Sequence, residues 1–135
     1  MTYNASAFPI SIKGIVLVNE KIVLLKNERE EWELPGGRIE IGETPEECVV
    51  REIDEELNLK CVVDRIVDTW MYTISNQKNV FIVTYLCEKL TIDPNVLKIS
   101  HEHKELGLFN IEEIEHLNMP LGYKNTIRKV IHSSY

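Results

Sequence analysis

Apolar and polar positions along the chain lay out most of its elements. Ile10 to Val18 and Ile22 to Leu25 are β-rich apolar runs on either side of the polar Asn19-Glu20-Lys21, a pattern that predicts a hairpin. Leu34-Pro35-Gly36-Gly37 predicts a tight turn, and a short strand from Arg38 to Ile41 follows it. β-Branched segments at Val62 to Val67 and Val80 to Leu86 flank a polar turn at Ser75 to Asn79, and a further short strand is expected at Leu106 to Phe109.

Between the first strands and this second group the period changes from two to 3.6. Val49, Ile53 and Leu57 recur at i, i+4, i+8, the apolar stripe of a helix. Its start is marked by Thr44 as N-cap, Pro45 at the first helical position and Glu47 three residues after the cap. Asn58 marks its end, because Asn tolerates the left-handed conformation that closes a helix. Asn110 with Glu113 predicts a second capping box, opening a short helix to Leu117, and Pro120 precedes a final amphipathic helix over Leu121 to His132. Strands before and after an early helix, with helices at the end, predict an α/β (α+β) fold: a mixed sheet with helices on both faces.

Composition narrows the class. The chain has 135 residues, 44% hydrophobic and 27% charged, values of an ordinary globular protein; with no internal repeat or linker-like stretch, one domain over residues 1–135 is expected. Cys48, Cys61 and Cys87 are widely spaced and odd in number, which argues for buried thiols in a reducing compartment and against a disulfide framework or a zinc pairing. The first residues carry no basic-then-apolar leader, and no apolar run approaches the roughly 20 residues that span a bilayer, so a cytoplasmic protein is expected.

The formal net charge of −7 is concentrated in one place. Glu43 to Glu56 holds seven acids and one base, a net of −6 in 14 residues, whereas the rest of the chain nets −1. Such a chain is a poor partner for long nucleic acid, whose backbone rewards clustered cations. Glu52, Glu55 and Glu56 are related by i, i+3, i+4 and therefore share one helical patch. Like charges at these spacings destabilise a helix by a few tenths of a kcal/mol each, and they sit in the half where the dipole disfavours them. A solvated acidic face accounts for three acids alone; a divalent cation also does, and hard oxygen donors favour Mg²⁺.

The upstream context separates these readings. Gly37, then Glu43, then Arg51-Glu52-Ile53, Glu55-Glu56 and Leu59, in this spacing, resemble the Nudix box of hydrolases that act on a nucleoside diphosphate linked to another group. Asn58 stands where that family has glycine. The resemblance continues through Trp32-Glu33-Leu34-Pro35-Gly36 and, more weakly, through Glu102-His103 and Glu112-Glu113-Ile114. It implies a Nudix-like α/β/α sandwich in which Glu52, Glu55, Glu56 and the Gly36 carbonyl hold Mg²⁺, with Mn²⁺ as a substitute. It implies that Arg51 pairs with Glu43 to orient the glutamates, and that Gly36 and Gly37 let substrate phosphates approach. A water activated by the metal would attack phosphorus, with Glu52 as base; the later loop offers Glu102 as an alternative base or further metal ligand, and Glu105 in reserve. His101 and His103 read as solvent-exposed.

Substrate markers are sparser. No proline lies between Lys60 and Thr91, where many ADP-ribose hydrolases of this family carry one. The proline-rich marker of NADH-cleaving members is also absent, and Tyr72 stands closer to the box than the tyrosine of the diadenosine-polyphosphate members. Trp32, Trp70, Tyr72 and Tyr123 offer base stacking or core packing, and the Asn125 amide offers a base-edge contact. The resulting expectation is a hydrolase of nucleoside triphosphates or related small nucleotides, acting as monomer or homodimer without membrane or long nucleic acid. ADP-ribose or a nucleotide sugar is the alternative substrate, and a non-catalytic nucleotide sensor the alternative class.

Overall fold

The computed structural model describes residues 8–75, 78–90, 97–98 and 105–132. Its centre is a seven-stranded mixed sheet built on β1 (Ile10–Val18). β2 (Lys21–Lys26) folds back antiparallel on β1 through Asn19 and Glu20, which take φ of 53° and 67°. Positive φ at both central residues is the geometry whose twist matches a two-residue hairpin. β6 (Lys78–Lys89) lies parallel to β1 on its other side, and β5 (Cys61–Ser75) closes that edge antiparallel to β6. β3 (Trp32–Glu33) and β7 (Glu105–Phe109) pair with β2, and β4 (Gly36–Arg38) pairs with β1.

Among the described residues, three helices complete the order: α1 (Pro45–Leu57), α2 (Ile111–Ile114) and α3 (Leu121–His132). Alternation along β1 divides the core in two. Ile12 and Val16 pack under α1 with Val49, Ile53 and Leu57. Ile15 faces the other way, with Ile22, Leu24 and Ile82 against Tyr123, Ile127 and Val130 of α3. Full burial of each such aliphatic side chain contributes about 1.5–3 kcal/mol. The expected mixed sheet with helices on both faces is therefore what the chain forms.

The details depart from the expected spans in three ways. The strand after the glycine turn covers Gly36–Arg38 rather than Arg38 to Ile41. Its partner runs out there: β1 begins at Ile10, whose carbonyl accepts the Ile39 N–H at 3.2 Å, and Ile41 is fully exposed. β5 and β6 extend far beyond their β-branched cores, with three register shifts between them that let long, twisted strands stay paired. The short second helix ends at Ile114 rather than Leu117, although its Asn110–Glu113 capping box forms as expected.

Candidate active site

The acidic patch is positioned by the two ends of α1. At the start, the Thr44 hydroxyl accepts the Glu47 N–H at 3.1 Å, and the Glu47 carboxylate accepts the Thr44 N–H at 2.9 Å. At the end, Asn58 adopts φ 54°, ψ 41° and donates its N–H to the Asp54 carbonyl at 2.8 Å. With both ends fixed, the buried stripe of Val49, Ile53 and Leu57 sets the rotation of the helix and turns Glu52 and Glu56 toward the glycine turn.

That turn is built for close approach. Gly36 takes φ 141°, and a Cβ there would strike the Ile12 carbonyl across the β1–β4 pair. Its N–H donates to Glu56 Oε1 at 2.7 Å, satisfying a carboxylate that is only 5% exposed. Gly37 faces Glu52 so closely that an added Cβ would overlap the carboxylate itself. Two carboxylates of the helix are thus seated on the two glycines.

Arg51 ties the patch together. It grips Glu43 with two hydrogen bonds, Nε to Oε2 at 2.5 Å and Nη2 to Oε1 at 3.0 Å. Its Nη1 reaches Glu52 at 3.3 Å and Glu55 at 3.2 Å. The Arg51 hydrogen bond holds the Glu43 carboxyl down at about 2, and Glu43 in turn raises the guanidinium above its ordinary range. Burial pushes the adjacent Cys48 thiol up to about 12. All three cysteines are buried and unbridged.

No set of three His, Cys, Asp or Glu side chains closes into a metal cage among the described residues. Glu52 and Glu55 lean to Arg51, and Glu56 leans to Gly36 N–H. The donor set nevertheless fits a hard divalent cation: it is all oxygen, and Glu52 and Glu55 already share one cationic group. Glu102, His101 and His103 lie outside the described residues. Glu105 is on β7, 3.8 Å from Lys26 Nζ.

The aromatic candidates divide. Trp32 is a core residue, edge-on to Phe109 at 4.8 Å. Trp70 packs edge-on against the buried Tyr123 at 5.0 Å and beside Tyr72 at 5.2 Å. Tyr72 donates its hydroxyl to Glu31 at 3.0 Å and, with Tyr123, lines a cavity of about 80 Å³ on the α3 face of the sheet. Asn125 does not line this cavity: it is exposed on α3, and its amide oxygen accepts from Arg128 at 2.7 Å.

The sequence reading missed two members of that cavity, Lys13 and Glu33. Lys13 is 7% exposed. Burial alone would lower the pKa of its ammonium, but the pull of Tyr123, Glu33, Glu56 and Glu52 lifts it above the ordinary lysine value. The visible signal was a lone cation inside the apolar run Ile10 to Val18.

Comparison with known proteins agrees with this architecture. The NUDIX domain family matches residues 5–130. An ADP-ribose pyrophosphatase of Methanocaldococcus jannaschii is 44% identical over 54 residues, 37% of this chain and 32% of that protein. An 8-oxo-dGTP diphosphatase of Proteus vulgaris is 30% identical over 73 residues, 52% of this chain and 65% of that protein. The matches thus span less than two-thirds of the length of these curated relatives. The crystal structure of a MutT protein from Methanosarcina mazei superposes with a TM-score of 0.82 at 21% identity, covering 98% of this chain and all of that one. A mixed sheet between two helical layers, with a glycine turn seated on helix glutamates, defines the class, and the chain belongs to the Nudix family.

Proposed function

We propose that this chain is a Nudix pyrophosphohydrolase that cleaves the diphosphate linkage of a nucleoside triphosphate or related nucleoside diphosphate derivative, and that residues 1–135 act as one domain. The observation that carries the reading is the seating of Glu52 and Glu56 on Gly37 and Gly36, with Arg51 bridging Glu43, Glu52 and Glu55.

In this reading Glu52, Glu55 and Glu56, with the Gly36 carbonyl, hold Mg²⁺ or Mn²⁺; Glu102 is a further candidate ligand. The cation supplies neutralisation of the diphosphate and a lowered pKa for a bound water. Glu52 takes the proton of the attacking water, with Glu102 as the alternative base. Attack at phosphorus breaks the bond to the bridging oxygen, and the second phosphate leaves with that electron pair. Arg51 keeps Glu52 and Glu55 aimed at the site. Gly36 and Gly37 admit the phosphates, Tyr72 flanks the rest of the nucleotide, and Asn125, whose amide oxygen is taken by Arg128, contacts it through its amide N–H.

The relative from M. jannaschii named as an ADP-ribose pyrophosphatase supports ADP-ribose or a nucleotide sugar as the second substrate reading. The full set of acidic box residues speaks against a sensor that binds without cleaving. No helix among the described residues is long and apolar enough to cross a membrane, and a cytoplasmic monomer or homodimer that binds no long nucleic acid completes the proposal. Incubating the chain with nucleoside triphosphates, ADP-ribose, nucleotide sugars and dinucleotides plus Mg²⁺, with products identified by mass, tests it. Release of a nucleoside monophosphate and pyrophosphate from a triphosphate is the expected result. Cleavage of none of them would overturn the enzyme reading in favour of the sensor.

A further inference from the structure

Two of the three cysteines share one face of one strand pair. In the antiparallel β5–β6 ladder, Cys61 stands opposite Lys89 and Val63 opposite Cys87, so the two cysteines are diagonal neighbours ahead of the first register shift. Both are buried in the core cluster under α1. The Cys87 thiol donates a hydrogen bond to the Cys61 sulfur. That bond holds Cys61 below the ordinary cysteine value, and together with burial it pushes Cys87 up. Cys48 stands apart: burial raises it, and its thiol donates to the Gly37 carbonyl at 3.7 Å.

Cys61 borders the surface. It lines a groove of about 440 Å³ between α1 and β5, with Glu46, Glu47, Val50, Arg51 and Val62. Cys87 reaches the other way, into the packing under the helix. A Cβ added to Gly14 would meet Ile53 Cδ1, Val49 Cγ2 and Cys87 Sγ, the last at 3.2 Å, so the sulfur and two side chains of α1 converge over one glycine of β1. Ile53 and Val49 belong to the stripe that sets the rotation of α1. A close-packed core passes the displacement of one member to the others.

We propose that Cys61 and Cys87 are a modification site, oxidised by a peroxide to a disulfide with Cys61 as the sulfur that reacts first. The thiolate is the attacking form, and the hydrogen bond from Cys87 favours it at Cys61. The Cys61 sulfur attacks a peroxide oxygen, the O–O bond breaks, and a sulfenic acid and water result. The Cys87 sulfur then attacks the Cys61 sulfur, the S–O bond breaks, and a second water leaves. Two thiols and one hydrogen peroxide thus give one disulfide and two waters: two electrons pass from sulfur to oxygen, and both thiol protons leave in the waters. Diagonal strand neighbours stand roughly 7–8 Å apart, beyond the reach of a relaxed disulfide, so closure draws β5 and β6 together. Cys87 Sγ then leaves its seat against Ile53 and Val49, and Glu52, adjoining Ile53 on α1, shifts with the helix. The effect on cleavage rests on the hydrolase reading given above; the bond itself does not.

The test treats the native chain with hydrogen peroxide, alkylates the remaining thiols and maps linkages by peptide mass spectrometry. Mg²⁺-dependent cleavage of the best substrate is followed before oxidation, after it, and after dithiothreitol. A Cys61–Cys87 linkage with Cys48 reduced is expected, and cleavage is expected to fall by on the order of tenfold and to return with dithiothreitol. Cys61→Ala, checked for folding by thermal melting, should keep its cleavage through the same treatment, and Cys87→Ala should stop at a Cys61 sulfenic acid that dimedone labels. The wild-type map decides the bond even where a variant fails to fold. Cys61 and Cys87 both left free, a linkage through Cys48, or a linkage formed only in urea would overturn the inference. A Cys61–Cys87 bond that leaves cleavage unchanged would overturn the coupling to α1. Should the reduced chain cleave no substrate, the hydrolase reading fails, and the map still decides whether the pair is oxidised.

Discussion

The missing Cβ of Gly37 leaves room for the Glu52 carboxylate. A methyl group there would overlap that carboxylate, so Gly37→Ala must displace the end of the Glu52 side chain. Displacing the proposed base by a fraction of an ångström should lower turnover by roughly a hundredfold while leaving most of the melting temperature intact. Turnover at the wild-type level would show that the contact has no catalytic meaning. Glu43 makes a different prediction. Its carboxyl is held at about 2 against an ordinary 4.5, chiefly by the Arg51 hydrogen bond. A group depressed in the folded state adds stability above its unfolded pKa and loses it as pH falls toward the folded one. Acid titration of stability between those two values should therefore be shallower in Glu43→Gln than in wild type, and high salt should shrink the difference because the pair is partly exposed. Parallel acid limbs in the two proteins would contradict this.

Local punctuation decides how well each element can be read. α1 and α3 were legible to the residue, because Thr44, Pro45, Glu47, Asn58 and Pro120 announce the ends through their own hydrogen bonds and dihedrals. The hairpin of β1 and β2 was legible for the same reason. β3 was not: a two-residue strand has no period, and Trp32–Glu33 exists only because β2 offers a pairing edge. The lengths of β5 and β6 were hidden too: Asp68 is a poor strand former, and it and the residues after it are held in the ladder by cross-strand partners. Within the site, the box residues follow from helix spacing, while Lys13 and Glu33 become neighbours only through the register of β1, β2 and β3. Asn58 carries the prediction at this scale. It already sits in the left-handed region, so Asn58→Gly should change unfolding free energy by less than about 1 kcal/mol in urea and leave turnover unaltered. A loss of activity would mean that the Asn58 side chain does more than cap the helix.

At the scale of the whole molecule, the net charge of −7 is best understood as one local seat. Nearly all of the excess lies between Glu43 and Glu56, where the capping box, the glycine turn and Arg51 hold acids close together against their mutual repulsion. The cores on both faces of the sheet stabilise that arrangement: Ile53 is fully buried beneath it and anchors α1 against β1. In the proposed function this acidic patch is the seat of a divalent cation that meets the substrate diphosphate. Single replacement of Glu52, Glu55 and Glu56 by Gln, followed by Mg²⁺-dependent cleavage of the best substrate, tests it most directly. Glu52→Gln and Glu56→Gln are expected to fall by about a hundredfold or more in kcat/KM with folding retained, and Glu55→Gln by less, because Glu55 is the most exposed of the three. Near-normal turnover in all three variants would contradict it.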